Sequence, residues 1–282
     1  MKIGIPREIY EGEKRVAIVP KMATQLLKEG HEVFIEANAG EGAYFTDLEY
    51  DRIGAIIVEN AQLLYSEVNV IMKVQPPQRE EVEMMRDSSI YIGFLSSVLD
   101  DEFLNLINKK SITRFAMEFI PRISRSQSMD ALSSMASIAG YRAVLIAAQH
   151  LGKFFPLMLT AAGTIPPAKV LVVGAGVAGL QSIATARRLG ARVEAFDTRP
   201  AVREQVESLG AQFIEMELVA DAETATGYAK EMTEEFMKKE REIIGERAAQ
   251  NHVVITTAHL IGKNAPTLIT EEMVERMQEG SV

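Results

Sequence analysis

The run Val170-Leu-Val-Val-Gly-Ala-Gly-Val-Ala-Gly179 constrains this chain more than any other segment. Four apolar residues, Val170 to Val173, stop at Gly174, and Gly176 and Gly179 complete the spacing G-x-G-x-x-G. A helix-like segment follows from Leu180 to Leu189, then a second apolar run from Arg192 to Phe196, closed by Asp197. Strand, glycine turn, helix, strand and acid, in that order, are what a dinucleotide site requires. Gly174 permits the tight turn. Gly176 lets the backbone approach a pyrophosphate, and Gly179 lets helix and strand pack closely. The helix start offers N–H groups to phosphates. Asp197 stands where a carboxylate can accept both hydroxyls of an adenine ribose and would repel a 2′-phosphate, which favours NAD(H) over NADP(H). Arg199, two residues on, works against that preference; its alternative use is a solvated cation in the turn before Pro200. The candidate cofactor contacts here are Gly174, Ala175, Gly176, Val177, Gly179, Asp197, Thr198 and Arg199.

The chain has 282 residues, enough for two domains of ordinary size. A formal net charge of -9 argues against nucleic acid or an anionic membrane surface as a partner. Without a single cysteine, disulfides and thiolate chemistry are excluded. The four histidines, His31, His150, His252 and His259, show no metal-ligand spacing, so no metal is expected. Lys2-Ile-Gly-Ile-Pro-Arg7 reads as the start of a strand, not as a signal peptide. The longest apolar stretches are interrupted by His150, Lys153 and Lys169, so none is expected to span a bilayer, and a cytoplasmic location follows as the default.

Short apolar runs alternate with helix-like segments through the first half. Strands are expected at Lys2–Ile5, His31–Glu36, Ala55–Val58, Val68–Val74, Ser89–Phe94 and Ile112–Met117. Helices are expected at Pro20–Glu29, stopped by Gly30, and at Thr46–Arg52, Gln78–Arg86 and Asp101–Asn108. Such alternation implies parallel pairing. Ser128–Leu151 reads as a long connecting helix, and Gln212–Glu215 and Val253–Thr256 as later strands. Tyr228–Gln250 reads as a solvated helix burying Met232, Phe236 and Ile243, preceded by a small, polar loop over Val219–Gly227. Val282 looks like the first residue of another strand. The expected fold is therefore α/β, with two doubly wound Rossmann-like domains of mainly parallel sheets joined by a long helix. Residues 1–127 form the N-terminal domain, 128–151 the connecting helix, and 152–282 the NAD(H)-binding domain, incomplete at its C-terminal end.

A second constellation lies in Pro121-Arg-Ile-Ser-Arg-Ser-Gln-Ser-Met-Asp-Ala-Leu-Ser-Ser134. Arg122 and Asp130 can pair and stiffen this loop, and Ser128 or Asp130 can cap the helix that follows. The longer run P-R-I-S-R-S-Q-S-M-D-A-L-S-S-M-A-S-I-A-G-Y-R-A is similar to the NAD(H)-binding alpha subunit of proton-translocating nicotinamide nucleotide transhydrogenases. So are V-V-G-A-G-V-A-G-L with A-F-D-T-R-P, and the opening K-I-G-I-P-R-E…E-K-R-V-A-I-V-P, which alanine dehydrogenases share. The resemblance covers the whole chain, and the Arg122–Ser134 loop is its specific segment.

The resemblance implies a subunit that holds NAD(H) and passes hydride to NADP(H) bound on a partner. Arg122 and Ser133 would hold the nicotinamide carboxamide, Asp130 would orient the Arg, and Gln127 would reach toward the second nucleotide. Tyr228, in G-Y-A-K, resembles the tyrosine of the family's mobile loop, and Thr257 and Ala258 lie at the expected cofactor edge. The family's T-T-A-L-I-P-G becomes Thr256-Thr-Ala-His-Leu-Ile-Gly262, losing proline and gaining His259. The resemblance further implies a homodimer, an NADP(H)-binding beta subunit and a membrane-embedded proton-channel subunit. This chain would then lie peripherally on the inner face of the cytoplasmic membrane.

Two other functions compete. An alanine dehydrogenase-like enzyme would use Arg15 to clamp a carboxylate and Lys73 to polarise a carbonyl. Such chemistry needs proton transfer, usually through histidine, and the matching positions here are Phe94 and Leu95. Arg15 and Lys73 are otherwise retained ion pairs or cleft cations. A truncated, non-catalytic NAD-binding module is the third reading.

Overall fold

The computed structural model describes residues 1–95, 101–121, 123–216, 234–257 and 265–282. It divides into two compact units, Met1–Ile120 and Pro121–Val282.

In the first unit the elements alternate: β1 (Lys2–Ile5), α1 (Pro20–Lys28), β2 (Glu32–Glu36), α2 (Asp47–Arg52), β3 (Ile56–Val58), α3 (Ala61–Glu67), β4 (Val70–Met72), α4 (Arg79–Met84), β5 (Ile90–Gly93), α5 (Asp101–Lys109) and β6 (Thr113–Ala116). The strands form one parallel sheet ordered β3-β2-β1-β4-β5-β6, the doubly wound order. Each α crossover covers a sheet face, so the strands bury both sides and read as continuous apolar runs. Ile3, Ile5, Val33, Ile35 and Val70 are buried in one core cluster, while Tyr65, Ile71, Tyr91 and Phe103 fill the other. α1 starts on Pro20, whose missing N–H costs nothing there, and its chain turns away at Gly30 with φ +84°.

The second unit opens with α6 (Ala131–His150), then β7 (Met158–Thr160), β8 (Gly163–Ile165), β9 (Lys169–Val173), α7 (Val177–Arg188), β10 (Arg192–Phe196), α8 (Arg203–Ser208), β11 (Gln212–Ile214), α9 (Glu234–Ala248), β12 (Val253–Thr256) and α10 (Glu271–Glu275). Its parallel sheet has the order β11-β10-β9-β12, with Val170 opposite both Val193 and Val253. β7 and β8 make an antiparallel hairpin, which the sequence did not announce because its residues are exposed or half-buried and carry no apolar alternation. Val282 exchanges backbone hydrogen bonds with the β12 edge, accepting from Val254 N–H and donating to His252 O, as its strand-like character suggested.

The helix expected between the halves groups with the second unit. α6 packs against α7, with Val144 and Ala147 in the same core as Ile183 and Ala186. By length and composition alone α6 is apolar enough to cross a bilayer, contrary to the expectation from the sequence. Its apolar composition is used in part here, where Gly140, Val144 and Ala147 are buried within the unit. Of the charged helix expected over 228–250, the described stretch is Glu234–Ala248, and Phe236 and Ile243 pack on the core with the fully buried Ile244 and Ala248. Met232 and the loop 219–227 lie outside the described residues.

Candidate nucleotide site

The glycine turn forms because β9 is buried on both faces and must hand the chain to α7 within three residues. Gly174 takes φ +97°, a conformation that side chains disfavour, and its N–H bonds to Phe196 O at 2.7 Å. A Cβ on Gly179 would collide with the carbonyl oxygen of Gly174, so this close approach of helix to turn requires glycine. A Cβ on Gly176 would meet nothing within 4 Å; the backbone there faces open space. Thr257 follows β12 and ties it to the turn, its hydroxyl donating to Gly174 O at 2.9 Å. Ala258 lies outside the described residues, as do Arg122, Tyr228 and His259.

Asp197 sits at the end of β10, beside the turn. Its carboxylate accepts from Ala175 N–H at 2.6 Å and from Arg199 N–H at 2.8 Å. Arg199 is not a solvated cation: its Nε and Nη2 donate to the two Asp197 oxygens at 2.9 and 3.0 Å, and its side chain is 16% exposed. The tight turn between the two residues makes this fork possible, and the sequence does not specify that turn. Thr198 is half-buried beside them.

The second constellation is built on a 3-10 turn, Ser124–Met129, leading into α6. Asp130 is the helix cap. Its carboxylate accepts from Ser133 N–H at 2.8 Å and from Ser133 Oγ at 2.6 Å. Gln127, exposed, and Asp130, Ser133, Ser134 and Ser137 line a cavity of about 440 Å³ together with Val177, the first residue of α7. The loop residues and the glycine turn thus meet in one place. Ser137 was not among the expected site residues. Its signal was present: positions 130, 133, 134 and 137 form one stripe of small polar residues at helical spacing.

In the first unit, Lys73 is no cleft cation. It is buried between Glu81, at 2.5 Å, and Glu8, at 3.5 Å, and Tyr65 also donates to Glu81 at 2.9 Å. Burial pushes the Glu8 carboxyl up, against the opposing pull of Lys73. Arg15 lines a cleft of about 210 Å³ and is held by Glu13 through Nε at 2.8 Å and Nη2 at 2.5 Å. Gln75 donates to the same carboxylate at 2.7 Å. Both residues follow the ion-pair reading. Leu95, at one position where a proton donor would be needed, is buried with its N–H on Glu118. His252 accepts a backbone N–H from Lys169 at 2.9 Å, far in role from a catalytic base.

The Arg15 guanidinium holds Glu13 down at about 2, against an ordinary 4.5. A folded value below the unfolded one adds stability above about pH 4.5, and that stability is lost as pH falls toward 2. Glu13→Gln is expected to lower stability at pH 7 by about 1 kcal/mol, a figure discounted because Arg15 is partly exposed. In thermal unfolding across pH, the gap to the wild type should close between 4.5 and 2. A gap constant over that window would mean that the pair contributes nothing.

Two family models match the chain: the N-terminal domain of alanine dehydrogenase/PNT over residues 4–139, and its C-terminal domain over residues 143–282. An NAD(P) transhydrogenase subunit alpha chain of Rhodospirillum rubrum is 49% identical over 289 residues, covering 100% of this chain and 75% of that protein. The chain belongs to the NAD(P) transhydrogenase alpha-subunit family. Among solved structures, transhydrogenase from Sinorhizobium meliloti matches this family member with a TM-score of 0.86 and 40% identity, over 100% of this chain and 76% of the other. An L-alanine dehydrogenase matches with a TM-score of 0.80 and 27% identity, over 100% and 72%. The transhydrogenase side of the family is therefore the nearer one by both sequence and fold, as the Arg122–Ser134 loop implied.

Proposed function

We propose that this chain binds NAD(H) and exchanges hydride with NADP(H) held by a partner subunit, as the alpha component of a proton-translocating transhydrogenase. The observation that carries the reading is the shared cavity: Gln127, Asp130 and Ser133 line it with Val177, at the start of the helix that the glycine turn feeds. A dinucleotide needs such a site, with open backbone for its pyrophosphate and polar groups at the nicotinamide end. Gly176 faces open space and Asp197 presents a carboxylate beside the turn, so the residues fit the ligand. Gly174, Ala175, Gly176, Val177 and Gly179 would take the pyrophosphate, and Asp197, Thr198 and Arg199 the adenine ribose, with Tyr228, Thr257 and Ala258 at the edge.

Hydride passing between two nicotinamide carbons moves no proton at either carbon. It needs the two carbons aligned at about 3–3.5 Å and water kept out. Asp130 is used for positioning: it caps α6 and fixes Ser133, and it is assigned to orient Arg122. Gln127, exposed at the cavity, is assigned to the contact with the second nucleotide. Coupling to proton movement, the Si-specific/Re-specific stereochemistry, the beta and proton-channel partners and a peripheral place on the inner face of the cytoplasmic membrane belong to the same reading.

Mixed with an NADP(H)-binding partner, the chain should transfer hydride from NADH to an NADP+ analogue. Gln127→Asn should cut that rate by roughly 10- to 100-fold, the scale of a misplaced reaction geometry, while the NADH dissociation constant moves less than about twofold. A large loss of binding would remove Gln127 from this role. Turnover of NADH with pyruvate and ammonium alone would replace the whole reading with an amino-acid dehydrogenase.

The homodimer is supported by apolar side chains left on the surface. Ile138, Tyr141 and Ile146 on α6 are exposed, and so are Phe154, Leu157 and Leu159 at the hairpin. Exposed apolar patches of this kind mark contact surfaces. Sedimentation of the chain alone should give twice the 31.1 kDa monomer mass; a monomer at micromolar concentration would reject the dimer.

A further inference from the structure

Asp197 has no hydrogen-bonding capacity to spare. A carboxylate has about four lone-pair sites. Among the described residues its oxygens already accept four N–H groups: Ala175 N–H and Arg199 Nη2 on Oδ2, and Arg199 N–H and Nε on Oδ1. The pair is also shielded, with side chains 6% and 16% exposed. Two of the four donors are backbone groups fixed by the turn and by β10. The other two belong to the guanidinium, which sits on a flexible stem. A ribose diol placed on Asp197 must therefore displace the guanidinium, and the two hydroxyls replace its two N–H groups one for one.

We propose that Asp197 and Arg199 act together as the selectivity switch of this site: Asp197 occupies a guanidinium that would otherwise bind the 2′-phosphate of NADP(H). The proposal rests on the reading of the glycine turn as a dinucleotide site. Arg199 is two residues from the acid, so the tether keeps its fork within reach of the position that the carboxylate serves. A guanidinium matches a phosphate bidentately, as it now matches the carboxylate. With Asp197 in place, the cation is neutralised and the site presents an acceptor to hydroxyls. Without Asp197, the same site presents a planar, charged donor to a phosphate. One carboxylate opposes this. Glu240 on α9 is partly buried, and its carboxyl is pushed up by burial and, to a lesser degree, by the charge of Asp197. It remains when Asp197 is removed, which limits the expected gain to about tenfold.

The test measures NADH and NADPH dissociation constants by nucleotide fluorescence on the full chain. Asp197→Ala should weaken NADH by about tenfold and tighten NADPH by about tenfold. Asp197→Asn, which keeps the shape and an acceptor for the backbone N–H groups, should shift in the same direction. Adding Arg199→Ala to Asp197→Ala should abolish the NADPH gain. Arg199→Ala alone should tighten NADH by about threefold, because the diol no longer competes with a guanidinium. The proposal is overturned if both Asp197 variants fold and bind NADPH no better than the wild type, or if the double variant keeps the gain. If both Asp197 variants lose their thermal transition, Arg199→Ala decides alone: tighter NADH supports the switch, and unchanged or weaker NADH overturns it. A wild type that fails to bind NADH at all would sink the dinucleotide reading itself, which none of the variant outcomes does.

Discussion

Gly179→Ala is expected to weaken NADH binding by on the order of a hundredfold. The added Cβ points at the carbonyl oxygen of Gly174, a backbone atom that cannot step aside as a side chain would. Either α7 moves away from the turn or the turn opens. Both displace the N–H groups at the helix start from the place where Gly176 leaves open space, and both disturb the Thr257 bond that fastens β12 to Gly174. Nucleotide titration reads the effect, and circular dichroism separates it from unfolding. An alanine variant that binds NADH as the wild type does would show that α7 has room to shift, and the turn would lose its assigned role in binding.

Gly140→Val should have the larger effect on the fold. Gly140 lies in the middle of α6, where glycine ordinarily costs about 1 kcal/mol relative to alanine. Its Cβ would collide with Ala178 O, in the first turn of α7, and the Ser182 hydroxyl donates to Gly140 O at 3.1 Å across the same crossing. Valine there is expected to destabilise the second unit by about 3 kcal/mol, at the upper end for overpacking because the obstacle is backbone. Denaturant unfolding measures it. A loss under about 0.5 kcal/mol, the ordinary range for surface substitutions, would mean that the two helices separate without penalty.

The order of strands and helices was legible because parallel strands buried on both faces leave unbroken apolar runs, as Val170–Val173 does, and because glycines punctuate them. Helix ends at Gly30 and Asp130 followed from capping chemistry. Other features depend on what stands opposite in space. Gly140 is a poor residue for a helix until the Ala178 carbonyl is known to lie against it. Arg199 and Asp197 are two residues apart in any conformation, but only the observed turn makes their fork. Lys73 reads equally as a cleft cation or a buried ion pair until Glu8 and Glu81 are placed around it. Ser137 was recoverable in principle, since it lies one turn beyond Ser133 and Ser134 on the same helical face. The hairpin was not, because a segment that buries little leaves no periodic trace.

The cavity beside Asp130 receives the starts of two helices at once. Asp130 and Ser133 belong to the first turn of α6, and Val177 begins α7. Each start carries about half a positive charge from its aligned peptides. The chain as a whole is at -9 and repels a doubly negative ligand at long range. The encounter is thus a contest between a distant repulsion and a local attraction. Salt screens the first over about 8–10 Å at ordinary ionic strength and acts less on groups partly out of water. Adding salt should therefore speed the capture of NADH rather than slow it.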